Sequence, residues 1–144
     1  MLTSPQARTL KMEFKGLLQF TIPKNAKAFV VSDLGGNYDG LMQLLKSVDF
    51  NWETDVLISV GDLIDRGPNS LKLLKLFITE PRFYAALGNH EWMLVDAANE
   101  TDPGVRSQKI RNWISKGGAW GAKVPNKKLK KIADSIVNFF YCAI

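Results

Sequence analysis

The sequence predicts an α/β fold: a short, mainly parallel sheet with helices packed on it. Two features predict it. Short apolar runs alternate with segments whose apolar residues recur at three- and four-residue spacing, the pattern of βαβ units. Each apolar run also closes on a polar cluster of Gly, Asp and Asn, as strands do where they lead into site-bearing loops. A length of 144 residues suits one domain.

Residues 1–26 read as an irregular lead-in with one strand around Gly16–Ile22, and residues 27–144 as a single domain. Ala28-Phe29-Val30-Val31 predicts a buried strand ending at Ser32-Asp33, and Gly35-Gly36-Asn37 a turn. Leu41, Leu44, Leu45 and Val48 mark one face of a helix. Asp55–Val60 predicts a second strand, closed by Gly61-Asp62. Leu71, Leu74 and Ile78 outline a second helix whose face Leu73 and Phe77 widen. Phe83–Leu87 predicts a third strand, closed by Gly88-Asn89-His90. Beyond it the pattern is helical: Glu91–Asn99, a loop over Thr101–Gly104, then Ile110, Trp113 and Ile114 up to Gly117-Gly118. Leu129, Ile132, Ala133, Ile136, Val137 and Phe140 form the apolar stripe of a last helix, with Lys127, Lys128, Lys130 and Lys131 on its other face.

An apolar fraction of 46% and a charged fraction of 23% exclude a mainly disordered chain. No apolar run reaches the roughly 18 residues of a bilayer span, so no membrane partner is expected. The first residues lack the apolar stretch of a signal peptide. One cysteine, Cys142, precludes an intramolecular disulfide and suits a reducing cytoplasm. One histidine, His90, precludes a multi-imidazole centre within the chain. Charge is uneven. Residues 106–144 hold nine basic residues against the single acid Asp134, whereas residues 1–105 hold ten against thirteen. The basic quarter reads either as a solvated helix face or as an attraction for nucleic acid or an acidic protein.

Three motifs stand at the three strand ends: Asp33-Leu34-Gly35-Gly36, Gly61-Asp62-Leu63-Ile64-Asp65-Arg66-Gly67 and Gly88-Asn89-His90-Glu91. With Leu57–Val60 before the second motif and Asn112-Trp113 through Trp120 after the third, they make the chain resemble the calcineurin-like metallophosphoesterases. Within that family it is most similar to the phage lambda type of serine/threonine protein phosphatase. The resemblance implies a shortened metallophosphoesterase-like fold. It also implies a chemistry in which two divalent metals activate a water for in-line attack on phosphorus. By position, Asp33 would ligate the first metal, Asp62 would bridge the two, and Asn89 would ligate the second. His90 would be the general acid, oriented by Asp65, and Arg66 would grip phosphate. Read without the resemblance, Asp62 and Arg66 are a structural ion pair and His90 bonds a loop. Trp113 and Trp120 are then core, and the lysines a solvated face.

The departures from the family pattern set the functional expectation. Where the family has Asp-x-His-Gly, this chain has Gly35, which supplies no ligand. The family chain also continues further and brings more histidines. A complete two-metal centre is therefore not expected; the expected complement is no metal or one weakly bound Mn²⁺ or Mg²⁺. The leading expectation is a degenerate phosphatase-like protein (a pseudoenzyme) of phage origin in the cytoplasm, acting by binding a host protein or nucleoprotein. The alternatives are a residual metal-dependent phosphoesterase and a basic nucleic-acid-binding module. Phe139, Phe140 and Tyr141 begin an apolar end expected to fold back on the domain or to bury itself in a protein partner or a second copy. Lys127, Lys128, Lys130 and Lys131 are the expected contact for an acidic protein or nucleic acid.

Overall fold

A computed structural model describes residues 21–139 and 141–142. The expected strand around Gly16–Ile22 lies outside them apart from Thr21 and Ile22, which are not in a strand. Phe140 and the side chains of Phe139 and Tyr141 also lie outside the described part.

Four strands form the sheet: β1 (Ala28–Val31), β2 (Val56–Ser59), β3 (Phe83–Leu87) and β4 (Tyr141–Cys142). They pair in sequence order and all in parallel, with Phe29 opposite Leu57 and Leu57 opposite Phe83. Among the described residues five α-helices accompany the strands: α1 (Tyr38–Ser47), α2 (Ser70–Thr79), α3 (Asn89–Asn99), α4 (Pro103–Ser115) and α5 (Asn126–Phe139). The mainly parallel α/β architecture read from the sequence is therefore the architecture present.

Strand order explains which face is buried. Right-handed crossovers between parallel strands added in one direction place every helix on the same face. Phe29, Val31, Leu57, Phe83 and Ala85 point into the resulting core. Among the described residues no helix covers the other face: Val30 is 65% and Val60 54% exposed, although Val56 on that side is buried and Ile58 half-buried. This corrects the reading of Ala28–Val31 as a buried strand. Among the described strands β1 stands at the edge and is covered on one side only, so its residues alternate between exposed and half-buried.

The helices bury their predicted stripes with shifts of centre. In α1, Leu41 and Leu45 are buried, but Leu44 is 45% exposed. In α2 the centre falls on Leu73, Leu74 and Phe77, with Leu71 and Ile78 half-buried at its flanks. Helical spacing identifies a stripe, but the neighbouring sheet selects its midline. α3 starts at Asn89, two residues before the predicted start. α4 starts at Pro103, where Asp102 accepts the Val105 N–H at 2.9 Å, so the predicted loop is shorter. A 3-10 helix over Gly118–Lys123 was not foreseen. Lys109 ties α4 to α3, with Nζ donating to Asp96 and Glu100 at 2.8 Å each. α5 buries Leu129, Ala133 and Ile136 and exposes Lys127, Lys128, Lys130 and Lys131.

The ends of the sheet differ. Phe29, Phe50, Phe77 and Phe83 close the amino-terminal end, with ring centroids 5.1–5.8 Å apart. There the Asp55 carboxylate accepts the backbone N–H of Lys27 at 2.7 Å and of Asn51 at 2.9 Å, joining the starts of β1 and β2. All three sequence motifs emerge at the opposite, carboxyl end. Among the described residues no helix is long and apolar enough to cross a membrane.

Candidate active site

The first two motif loops are sewn together through their backbones. Gly35 N–H donates to the Asp62 carbonyl at 3.1 Å and Gly36 N–H to the Leu63 carbonyl at 2.7 Å. Gly67 N–H returns to the Gly35 carbonyl at 2.8 Å. A Cβ on Gly36 would lie 2.7 Å from the Gly67 carbonyl oxygen, so this crossing has room only for hydrogen. Arg66 N–H donates to the Gly117 carbonyl at 3.0 Å, which brings in the turn after α4.

Four predicted site residues adopt left-handed backbone conformations: Asp33 (φ 49°), Asp62 (56°), Asp65 (77°) and Arg66 (67°). Each costs about 1–3 kcal/mol and persists only where its surroundings impose it. Glu91 supplies much of that imposition. Fully buried in the first turn of α3, it accepts the N–H groups of Asp62, Leu63, Ile64 and Gly88 at 2.8–3.2 Å. Burial pushes its carboxyl above the usual range, and the backbone donors pull it partway back. Ser70 Oγ accepts the Asp65 N–H at 3.0 Å and holds the next residue of the same loop.

Asp65 is the hub. It is fully buried, and three side-chain N–H groups converge on it. His90 Nδ1 lies 2.7 Å and Trp113 Nε1 2.8 Å from Oδ2; Trp120 Nε1 lies 2.7 Å from Oδ1. An acceptor already bound by two indoles assigns the His90 proton to Nδ1 and leaves Nε2 for other work. Trp113 and Trp120 pack edge to face, with centroids 5.4 Å apart. Their part in the site was missed in the sequence, where both read as core. The available signal was that a buried indole N–H needs an acceptor, and Asp65 needed donors.

Asp33, Asp62, Arg66 and His90 line one small pocket of about 20 Å³ together with Gly35 and Ile64. That is room for one water or one ion. No ion pair joins Asp62 to Arg66 among the described residues. The backbone N–H of His90 donates to Asp62 Oδ1 at 3.2 Å. The Asn89 amide lies against the same carboxylate, and hydrogen-bond satisfaction turns its nitrogen inward, 3.1 and 3.0 Å from the two Asp62 oxygens. Six predicted residues are thus brought together: Asp33, Asp62, Asp65, Arg66, Asn89 and His90. Among the described residues no three His, Cys, Asp or Glu side chains cluster so as to hold a metal. The described donors, two carboxylates and an amide already engaged with one of them, do not fit the two-metal centre that the resemblance implies. Lys127, Lys130 and Lys131 stand outside this pocket on the exposed face of α5, where Lys130 pairs with Asp134.

A profile of the calcineurin-like phosphoesterases matches residues 26–141. The chain belongs to the calcineurin-like phosphoesterase family. This family member is 34% identical over 113 residues to serine/threonine-protein phosphatase 2 of Escherichia coli strain K12, covering 78% of this chain and 48% of that protein. It is 41% identical over 92 residues to serine/threonine-protein phosphatase 1 of Salmonella typhimurium, covering 64% and 39%. It is also 41% identical over 68 residues to a symmetrical bis(5'-nucleosyl)-tetraphosphatase of Legionella pneumophila, covering 46% and 25%. The phosphoesterase chain therefore spans about half the length of the curated relatives it matches. Among solved structures it resembles one provisionally assigned as a diadenosine tetraphosphatase, with a TM-score of 0.51 at 23% identity, over 76% of this chain and 46% of that one; this likeness concerns the fold.

Proposed function

We propose that this calcineurin-like phosphoesterase is a degenerate, phosphatase-like protein that holds a phosphoryl group more readily than it hydrolyses one, and that acts mainly by binding a phosphorylated protein partner. The observation that carries the reading is Gly35, which lines the pocket without a side chain where the family pattern has a ligating histidine. Metals, when bound in the family, activate the attacking water and stabilise charge on both reacting oxygens. This chain keeps the other parts. The Arg66 guanidinium is exposed at the pocket and suited to a forked grip on phosphate oxygens. Asp65 holds His90 by Nδ1, so Nε2 faces the leaving oxygen and, in the doubly protonated ring, is the atom that would give it a proton while Nδ1 keeps its own. The two tryptophans hold Asp65 in place through their indole N–H groups.

The test is hydrolysis of an aryl phosphate by the whole chain with Mn²⁺. Turnover at least about a hundredfold below that of a phosphatase with the full family motif is expected, the loss of roughly 3 kcal/mol of barrier lowering. Turnover comparable to such an enzyme, abolished by Asp62→Asn, would overturn the reading. It would favour instead a working metal-dependent phosphoesterase, for which the intact Asp65–His90 pair speaks.

A further inference from the structure

A second, larger cavity adjoins the small pocket and shares Arg66 with it. It is a groove of about 650 Å³ between the amino-terminal end of α2 and the 3-10 turn leading into α5. Four cationic side chains line it, Arg66, Lys72, Lys123 and Lys128, and no carboxylate does. The three lysines are exposed, and none of the four is in an ion pair among the described residues. Lys72 Nζ rests 3.8 Å over the Tyr38 ring, a contact that holds the ammonium without neutralising its charge. Between the charges run Pro68, Leu71, Val124 and Pro125. Trp120 forms part of the wall and bonds Asp65, so the groove and the His90 support share a side chain.

We propose that this groove docks an acidic phosphopeptide, with its phosphate at Arg66 and the carboxylates beside it over Lys72, Lys123 and Lys128. The proposal rests on the phosphoryl-binding reading of the Arg66 pocket and adds the partner's chemistry. Charge selects the sign of the ligand, since unpaired cations beside a low-dielectric wall favour a polyanion. The rest of the lining selects peptide over nucleic acid. Single-stranded nucleic acid is held by successive aromatic faces, whereas this groove offers Trp120 alone, packed against Trp113 and tied by its N–H. Aliphatic and proline side chains suit peptide side chains between the charges.

The test is fluorescence anisotropy of the whole chain with three labelled peptides. One carries phosphoserine followed by four glutamates, one phosphoserine followed by four glutamines, and one serine followed by four glutamates. A thymidine oligonucleotide of matched charge is the fourth probe. The glutamate phosphopeptide is expected to bind about tenfold or more tighter than the glutamine one at low salt, with the gap closing as salt rises. Lys72→Gln with Lys123→Gln and Lys128→Gln is expected to erase that gap, and the three Lys→Arg changes to keep it. These side chains are exposed, and circular dichroism checks that each variant folds. Equal binding of the two phosphopeptides, with phosphate still required, would overturn the groove and leave the Arg66 reading standing. Equal binding of the serine and phosphoserine glutamate peptides would overturn the Arg66 reading, and with it the docking register. Tighter binding of the oligonucleotide would overturn the peptide in favour of nucleic acid.

Discussion

Position 35 shows what one missing side chain does to a metal corner. Gly35 has φ 51°, and a Cβ built there would meet only the Asp65 carbonyl oxygen at 3.5 Å and the Asp33 carbonyl oxygen at 3.8 Å. Both are ordinary contacts, and histidine is among the residues that enter the left-handed region most readily. Gly35→His is therefore expected to fold at a cost of about 1–2 kcal/mol. It is expected to raise Mn²⁺ affinity by roughly an order of magnitude, towards one ion per chain, because imidazole adds a third donor beside Asp33 and Asp62. Isothermal titration reads both numbers; uptake of two ions would show that other groups complete the centre. Asp55 makes a different single-residue case. The N–H groups of Asn51 and Lys27 hold its carboxyl below its ordinary value of 3.8. A lowered value means a stabilisation complete above the ordinary aspartate range and lost as pH falls through the lowered one. The stability advantage of the native chain over Asp55→Asn is therefore expected to be constant near about pH 6 and to shrink below about pH 4, as urea unfolding at several pH values measures.

At the scale of elements, the strand-end loops work as one unit, held from three sides. α3 contributes Glu91, α2 contributes Ser70, and the turn after α4 contributes the Gly117 carbonyl. Left-handed conformations at four site residues are tolerable only because these bonds over-determine them. One tight point is the crossing of Gly36 and Gly67, where a Cβ on Gly67 would run into the Gly35 carbonyl oxygen. Gly67→Ala is expected to lower stability by roughly 2 kcal/mol or more, read from the urea midpoint, since backbone rather than a flexible side chain must give way. A loss below about 0.5 kcal/mol would mean that the loops can separate without cost to the fold.

The described residues form a layer with helices on one side only. Helices cover one sheet face, and the other carries Val30 and Val60 towards solvent. Stability is accordingly expected to depend on the face. Val30→Thr is expected to change it by under about 0.5 kcal/mol. Leu57→Ala, at a fully buried position opposite Phe29 and Phe83, is expected to cost about 2–5 kcal/mol. Thermal or urea unfolding of the two variants checks the contrast; a large loss at Val30 would mean that its side chain is covered in solution. The same one-sidedness leaves the carboxyl edge of the sheet free to gather the site, while the aromatic cluster closes the other end.

Local and repetitive features were legible from residue order alone. Alternating apolar runs specified three of the strands, Phe83–Leu87 to the residue, because a strand's burial is written in consecutive positions. The motifs named the six side chains that meet at the carboxyl edge, because each lies just past a strand and parallel strands bring their ends together. Midlines and partners were not legible. Nothing local tells that Leu44 faces solvent while Leu41 and Leu45 do not, or that β1 is an edge, since both depend on what the chain places alongside. That Trp113 and Trp120, 48 and 55 residues from Asp65, hold it by their indoles follows from the fold and from nothing local. Likewise only the fold gathered Arg66, Lys72, Lys123 and Lys128 around one groove. Charge and hydrogen-bonding capacity are properties of residues, whereas the distance over which they act is set by the fold.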